Sequence, residues 1–296
     1  MIPFVREIEF EYGACDQVSP LIRRVVANNP GPFTFKGTGT YIVGRGDLAV
    51  IDPGPDMDDH LEAILAATAG ERITHIFVTH NHADHSPLSR PLAARTGATI
   101  YACAQQGVPT ESEVRMEAGD DRTFRPDVGL CEGGVFKGES WTIEAIPTPG
   151  HTSNHICYAL LEENALFSGD HIMGWSTTVI SPPDGDMGDY FESLDRIKAR
   201  GFNTLWPTHG PPVTRPAPFV QAYIDHRRAR EAQILEALKR HSRIKAMVPE
   251  LYKDVDPRLH PAAAHSVMAH MVQLVREGRV RTDGEPTLDS DYSLAP

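Results

Sequence analysis

The sequence predicts an α/β domain followed by a small, mainly helical tail. Three observations carry that expectation. Short apolar, β-branched runs alternate with amphipathic stretches between about residues 39 and 207. Histidines and aspartates recur where those runs stop, in loops marked by Gly or Pro. After Pro216 the composition turns rich in Ala, Arg, Glu and Gln. We therefore divide the chain into residues 1–216 and residues 217–296.

Gly39-Thr40-Tyr41-Ile42-Val43-Gly44 and Leu48-Ala49-Val50-Ile51-Asp52 read as two strands joined by the turn Arg45-Gly46-Asp47, and Asp52-Pro53-Gly54-Pro55 stops the second. Asp56 to Ala69 is an amphipathic helix, with acidic residues early and Gly70 at its end. Arg72 to Val78 returns to strand. Pro87 to Thr96 is a short helix and Ala98 to Ala102 a strand. Residues 103–140 read as a polar, partly irregular excursion, with Glu111-Ser112-Glu113 and Gly119-Asp120-Asp121-Arg122 as its markers. Trp141 to Ile146 alternates like a strand, His155–Leu160 and Ala165–Phe167 form a hairpin, Tyr190 to Arg200 is helical, and Thr204 to Pro207 is a last short strand. In the tail, Ala217 to about Arg240, Ile244 to Tyr252 and Pro261 to Glu277 read as helices. Gly278 to Thr282 opens a short β-wing, so the tail is winged-helix-like, and the last dozen residues read as loose.

Bulk numbers exclude several function classes. The chain has 296 residues, 41% of them hydrophobic, enough for a sizeable core. A formal net charge of −12 argues against a broad nucleic-acid surface and against anionic membranes. No run is long and apolar enough to span a bilayer, and the N-terminus lacks a secretory pattern, so a cytoplasmic protein without membrane attachment is expected. Cys15, Cys103, Cys131 and Cys157 contain no C-x-x-C pair; disulfides are possible but not needed, a reducing cytosol is the default, and Cys157 reads as packed in a strand.

The chemistry concentrates in His80-Asn81-His82-Ala83-Asp84-His85, directly after a β-run. Imidazoles and carboxylates are the ligands of Zn²⁺ and related ions. His80 and His82 share a side of an extended segment. Asp84 and His85 follow where the chain can turn toward a neighbouring ion. Further candidates stand in Pro149-Gly150-His151-Thr152, Ser168-Gly169-Asp170 and Pro207-Thr208-His209-Gly210.

This ordered set resembles the metallo-β-lactamase superfamily over roughly residues 35–215. The resemblance implies an αββα sandwich. It also implies one metal held by His80, His82 and His151, a second held by Asp84, His85 and His209, and Asp170 bridging them. Two Zn²⁺ are the implied cofactors, with Mn²⁺ or Fe accepted by the same donors. Asp52-Pro53-Gly54 matches a family Asp-x-Gly that steadies the ligands, and Thr79 and Thr208 are candidates for the same support. Asp84 is the candidate catalytic residue, through proton transfer. His171 reads as packing or support; His60, His75 and His155 as structural or surface residues; and the histidines of the tail as solvated.

Within the superfamily, His82 stands where flavo-diiron proteins carry Glu, and Asp170 has no counterpart in most true β-lactamases. The Cys-Gly-His-Glu-Tyr of glyoxalase II is absent around His209. The nearest likeness is to the lactamase-beta-like endoribonuclease group, through Thr177-Thr178-Val179, Pro207-Thr208-His209-Gly210-Pro211 and Tyr223-Ile224-Asp225-His226-Arg227. Residues 181–189 look like an insertion, with Asp184, Asp186 and Tyr190 as candidate substrate contacts. Arg227, Arg228 and Arg230 form a weak basic cluster, better explained as a solvated helix face than as an RNA track. The expected activity is metal-dependent hydrolysis of a small ester, thioester or lactone, ahead of single-stranded RNA cleavage. A non-enzymatic nucleic-acid-binding or sensor protein is the third reading. The helix Pro261–Glu277, with one Arg and no Lys, is read as a packing helix that covers the pocket or forms a homo-oligomer face.

Overall fold

The computed structural model describes residues 2–104 and 119–296; the expected excursion at Glu111–Glu113 lies outside them. Strands β1 (Cys15–Gln17), β2 (Ile22–Val26), β3 (Gly39–Arg45), β4 (Asp47–Ile51), β5 (Arg72–Phe77), β6 (Thr99–Ala102) and β7 (Val128–Gly129) form one sheet in sequential order. Pairing is antiparallel up to β4 and parallel from β4 to β7. The first two parallel steps follow from the intervening helices α1 (Asp58–Ala67) and α2 (Ser89–Thr96), which carry the chain back across the sheet. Strands β8 (Gly134–Lys137), β9 (Thr142–Pro147), β10 (Ile156–Leu160), β11 (Ala165–Gly169) and β12 (Thr204–Pro207) make the second sheet, in the order β12-β11-β10-β9-β8. Helix α3 (Met187–Arg200) connects β11 to β12, which pair in parallel.

Strand periodicity explains the layering. On β3, Tyr41 and Val43 join the core between the sheets while Ile42 faces α1 and α2. On β10, Ile156, Tyr158 and Leu160 face inward while Cys157 and Ala159 meet α3 and α4 (Pro216–Ala237). Both sheets therefore bury both faces, and the result is an αββα sandwich. The aromatic rings at its centre keep their polar tips satisfied. Tyr158 Oη donates to the Val78 carbonyl at 2.8 Å, Tyr41 Oη to Pro207 at 2.7 Å, and Trp141 Nε1 to Asp47 at 2.9 Å.

The tail has its own core, built from α4, α5 (Ile244–Leu251), α6 (His260–Arg276), β13 (Val280–Thr282) and β14 (Tyr292–Leu294). Helix α4 serves both bodies: Phe219, Val220 and Tyr223 pack on the sandwich, and Ile234 and Ala237 pack in the tail. The end of the chain is not loose. β14 pairs with β13, Tyr292 is buried, and its N–H donates to the Ser242 carbonyl at 2.7 Å.

Cys103 and Cys131 form a disulfide, where the sequence had left disulfides possible but unneeded. The pairing of β6 with β7 brings the two together, with Leu130 N–H donating to the Ala102 carbonyl at 2.9 Å. Among the described residues no helix is long and apolar enough to cross a membrane.

Candidate metal centre

The candidate ligands all follow the C-terminal ends of strands. His80, His82, Asp84 and His85 come after β5, His151 after β9, Asp170 after β11 and His209 after β12. Those ends gather at one edge of the sandwich, where loops are free to present side chains. All seven residues are buried. Ligand atoms of His80, His82 and His151 lie within 4.8 Å of one another, as do those of His80, His85 and Asp170, and of Asp84, His85 and His209. His209 Nε2 is 3.1 Å from Asp84 Oδ2 and 3.5 Å from Asp170 Oδ1. His85 Nε2 is 3.6 Å from Asp84 Oδ1 and 3.6 Å from Asp170 Oδ2. His151 Nε2 is 4.0 Å from Asp170 Oδ2. Asp170 thus stands between the two halves of the cluster.

Two glycines make room for this edge. Gly150, at φ +135°, lies so close to α3 that a Cβ would sit 2.4 Å from Tyr190 Cα. Gly169, at φ +52°, leaves space for His155, whose Nε2 would be 2.5 Å from a Cβ there.

His80, His85, His151 and His209 are each tethered through one nitrogen and turned inward with the other. His85 Nδ1 donates to Asp52 Oδ2 at 2.9 Å, His151 Nδ1 to the Val179 carbonyl at 2.7 Å, and His209 Nδ1 to the Gly37 carbonyl at 3.2 Å. Thr79 Oγ1 gives its proton to Asp52 at 2.9 Å, so it accepts from His80 Nδ1 at 3.0 Å. His82 presents Nδ1, which lies 2.8 Å from His80 Nε2. Such tethers select the tautomer that leaves a lone pair for a metal. Asp52 anchors the set: it also accepts from the Thr79 N–H at 2.8 Å and from Thr208 Oγ1 at 2.7 Å.

Electrostatics divides the cluster. Burial pushes the imidazoles of His80 and His151 down and that of His82 down to about 3, so these three are neutral. For His85 burial acts the same way, but Asp84, Asp170 and Asp52 outweigh it and raise the group well above its ordinary value. His209 is raised against burial by Asp170 and Asp84. Burial works to raise the carboxyls of Asp84 and Asp170, yet the facing histidines hold both below the usual carboxylate range. The carboxylates therefore demand positive charge at this spot, which protons on His85 and His209 supply. A divalent cation would displace those protons. The buried Nε2 of His85 and Oδ1 of Asp170 have no hydrogen-bond partner, although buried polar groups are rarely left so. Donor chemistry and orphaned atoms both fit metal ions.

Several supporting residues had no sequence signal. Asp120 Oδ1 is 3.7 Å from His82 Nε2, at a bridge between the two backbones. His155, read as unconnected to the site, accepts from the Asp170 N–H at 3.2 Å through Nε2 and meets Thr148 Oγ1 at 2.9 Å through Nδ1. Asn154 Nδ2 donates to Asn81 Oδ1 at 2.9 Å. His171 packs edge-on against Tyr190, as a packing role requires. Cys157 is fully buried, and burial pushes its thiol up to about 12, which leaves it unreactive.

Other expectations need correction. Tyr190 is buried and donates to the His171 carbonyl at 2.7 Å, and Asp186 caps α3 by accepting from Gly188 and Asp189 N–H groups. Tyr190 therefore presents no surface to a substrate, while Asp186 stays partly exposed. Asp184 accepts from Ser153 Oγ at 2.6 Å. His265 and His270 of the tail are buried rather than solvated. Of the three arginines only Arg228 is exposed as a solvated face requires, 3.9 Å over the Phe191 ring; Arg227 is buried, and Arg230 is half-buried, 4.1 Å over Tyr252.

The profile of the Metallo-beta-lactamase superfamily matches residues 34–209, more than half of the chain. The chain belongs to the metallo-beta-lactamase superfamily. A second profile, the Beta-lactamase associated winged helix domain, matches residues 244–289 in the tail of this metallo-beta-lactamase-fold protein. A Beta-lactamase-like protein 2 homolog from Caenorhabditis elegans is 33% identical over 271 residues, spanning 90% of this chain and 88% of the relative. An atrochrysone carboxyl ACP thioesterase from Aspergillus fumigatus is 34% identical over 242 residues, spanning 79% and 70%. A beta-lactamase domain protein from Burkholderia ambifaria has the same fold, with TM-score 0.82 at 20% identity over 99% of this chain and 97% of that one.

Proposed function

We propose that this superfamily member is a dinuclear zinc hydrolase of a small acyl substrate, an ester, thioester or lactone. The observation that carries the reading is the convergence of the seven buried donors, with Asp170 between two sets. The likeness to a protein named as a thioesterase supports acyl chemistry over cleavage of RNA. His80, His82 and His151 would hold one ion and Asp84, His85 and His209 the other, with Asp170 shared. A loaded centre of this kind supplies Lewis acidity and a water of lowered pKa.

The chain's own groups do the rest. Asp52, Thr79 and the Val179 and Gly37 carbonyls hold the imidazoles in one tautomer. Asp84, ionised and turned toward His209, is the group we assign to accept a proton during hydrolysis. The test compares thioester, lactone and single-stranded RNA substrates, with chelated protein and Asp84→Ala alongside. Acyl hydrolysis restored by zinc, and lowered by roughly 100-fold or more in Asp84→Ala, is the expected result. Metal-dependent RNA cleavage without acyl hydrolysis would reverse the assignment in favour of the endoribonuclease-like group.

A further inference from the structure

A cavity of about 430 Å³ lies between the sandwich and the tail, beside the metal centre. Its sandwich wall includes Phe33, Trp175, Thr178 and Val179, and its tail wall includes Arg227 and Arg230 of α4. Two hydrogen bonds connect its lining to candidate ligands. Thr178 Oγ1 donates to the Asp170 carbonyl at 2.8 Å, and the Val179 carbonyl accepts from His151 Nδ1 at 2.7 Å. The volume is that of a small-molecule site, and the tail is the element that closes it.

The lining has the opposite charge balance to the chain. The sequence carries 40 acidic and 28 basic side chains. Yet Arg6, Arg227 and Arg230 line this cavity, and among the described residues no Asp or Glu does. Arg227 donates to the Thr178 carbonyl and Arg230 to the Leu251 carbonyl at 2.7 Å, and among the described residues none of the three arginines pairs with a carboxylate. Arg227 is only 4% exposed, and its Nε has no partner. A guanidinium buried without counter-charge is costly, and an anion in the cavity would offset that cost. Guanidinium forks match carboxylate and phosphate oxygens. His226, also in the lining, is held down to about 4 by burial and then by Arg227 and Arg230, so it stays neutral and leaves the charge to the arginines.

We infer that this cavity binds an anionic group of the acyl substrate, a carboxylate or a phosphate, through Arg6, Arg227 and Arg230, with Phe33 and Trp175 covering the adjoining apolar part. The inference rests on the hydrolase reading for the word substrate; the anion site itself can be measured without turnover. Two pairs of hydrolysis-inert probes separate the sources of charge: S-(3-carboxypropyl)-N-acetylcysteamine against its S-butyl analogue, and 4′-phosphopantetheine against pantetheine. Each is titrated calorimetrically into the full-length protein, into Arg230→Gln and into Arg6→Gln, with thermal melting as the check on folding.

The charged member of at least one pair should bind about tenfold or more tighter than its neutral partner. That preference should fall below roughly threefold in Arg230→Gln or Arg6→Gln. Arg6 is exposed, so its variant keeps the test open if loss of the Arg230 contacts unfolds the tail. Equal binding of charged and neutral probes, no binding by any of them, or a preference that survives in every folded variant overturns the inference. Charge preference without turnover of any acyl compound would overturn the hydrolase reading alone; turnover without charge preference would overturn this one alone.

Discussion

Asp52 carries more of the site than any group that would touch a metal. Its carboxylate accepts from Thr79 twice, from Thr208 and from His85, and its backbone holds a positive φ of 48° at the end of β4. Asp52→Asn keeps the shape but puts an amide where acceptors are needed. We expect divalent-metal affinity to fall by about 10–100-fold in chelator competition, with the fold retained. Unchanged affinity would show that the His85 tether is idle. At this scale the candidate ligands were legible because metal chemistry restricts them to His and Asp at strand ends, and their order is a family pattern. Asp120 was not legible, because only the folded path of the chain brings it back to His82. Arg227 and Arg230 of α4 were misread for a different reason. A basic stripe looks solvated in sequence, but guanidinium groups stack on rings and bond to carbonyls, so a polar helix face can be an internal joint.

Elements position these residues through close backbone approach. Gly150 is where the loop bearing His151 crosses the start of α3. Gly150→Ala must displace Tyr190 or the loop, because a Cβ would lie 2.4 Å from Tyr190 Cα. A loss of roughly 1–3 kcal/mol in urea denaturation is expected, together with weaker metal binding, since His151 is the next residue. Wild-type stability in that variant would contradict the packing described here. Long periodic elements were visible in the sequence: the strands around residues 41–51 and 142–167 and the helices α1, α3, α4, α5 and α6 all formed close to where the pattern placed them. Short ones were not. β7 is two residues long, and β14 is three residues in a polar tail, so neither has room for a period. Their pairing comes from neighbours already in place.

The whole molecule buries neutral histidines that the unfolded chain would expose. His60 and His270 are each held down to about 4, by burial above all. An unfolded histidine titrates near ~6.5. Between these values the unfolded state binds more protons, so acid favours unfolding. The contribution of these groups to stability should therefore be full above about pH 6.5 and fall as pH drops toward 4, with His60 and His270 each contributing up to about 3 kcal/mol. Denaturant melts at fixed ionic strength across that window check the sign; a midpoint that rises as the solution is acidified would contradict it. The αββα architecture was legible through the resemblance. That α4 is shared by two cores, and that the tail closes a cationic cavity, follows from packing that no single segment encodes.

Anomalous diffraction from crystals of zinc-loaded protein tests the central claim most directly. Two peaks about 3.5–4 Å apart are expected, one among His80, His82 and His151 and one among Asp84, His85 and His209, with Asp170 between them. A single peak, or zinc bound away from these side chains, would contradict the account.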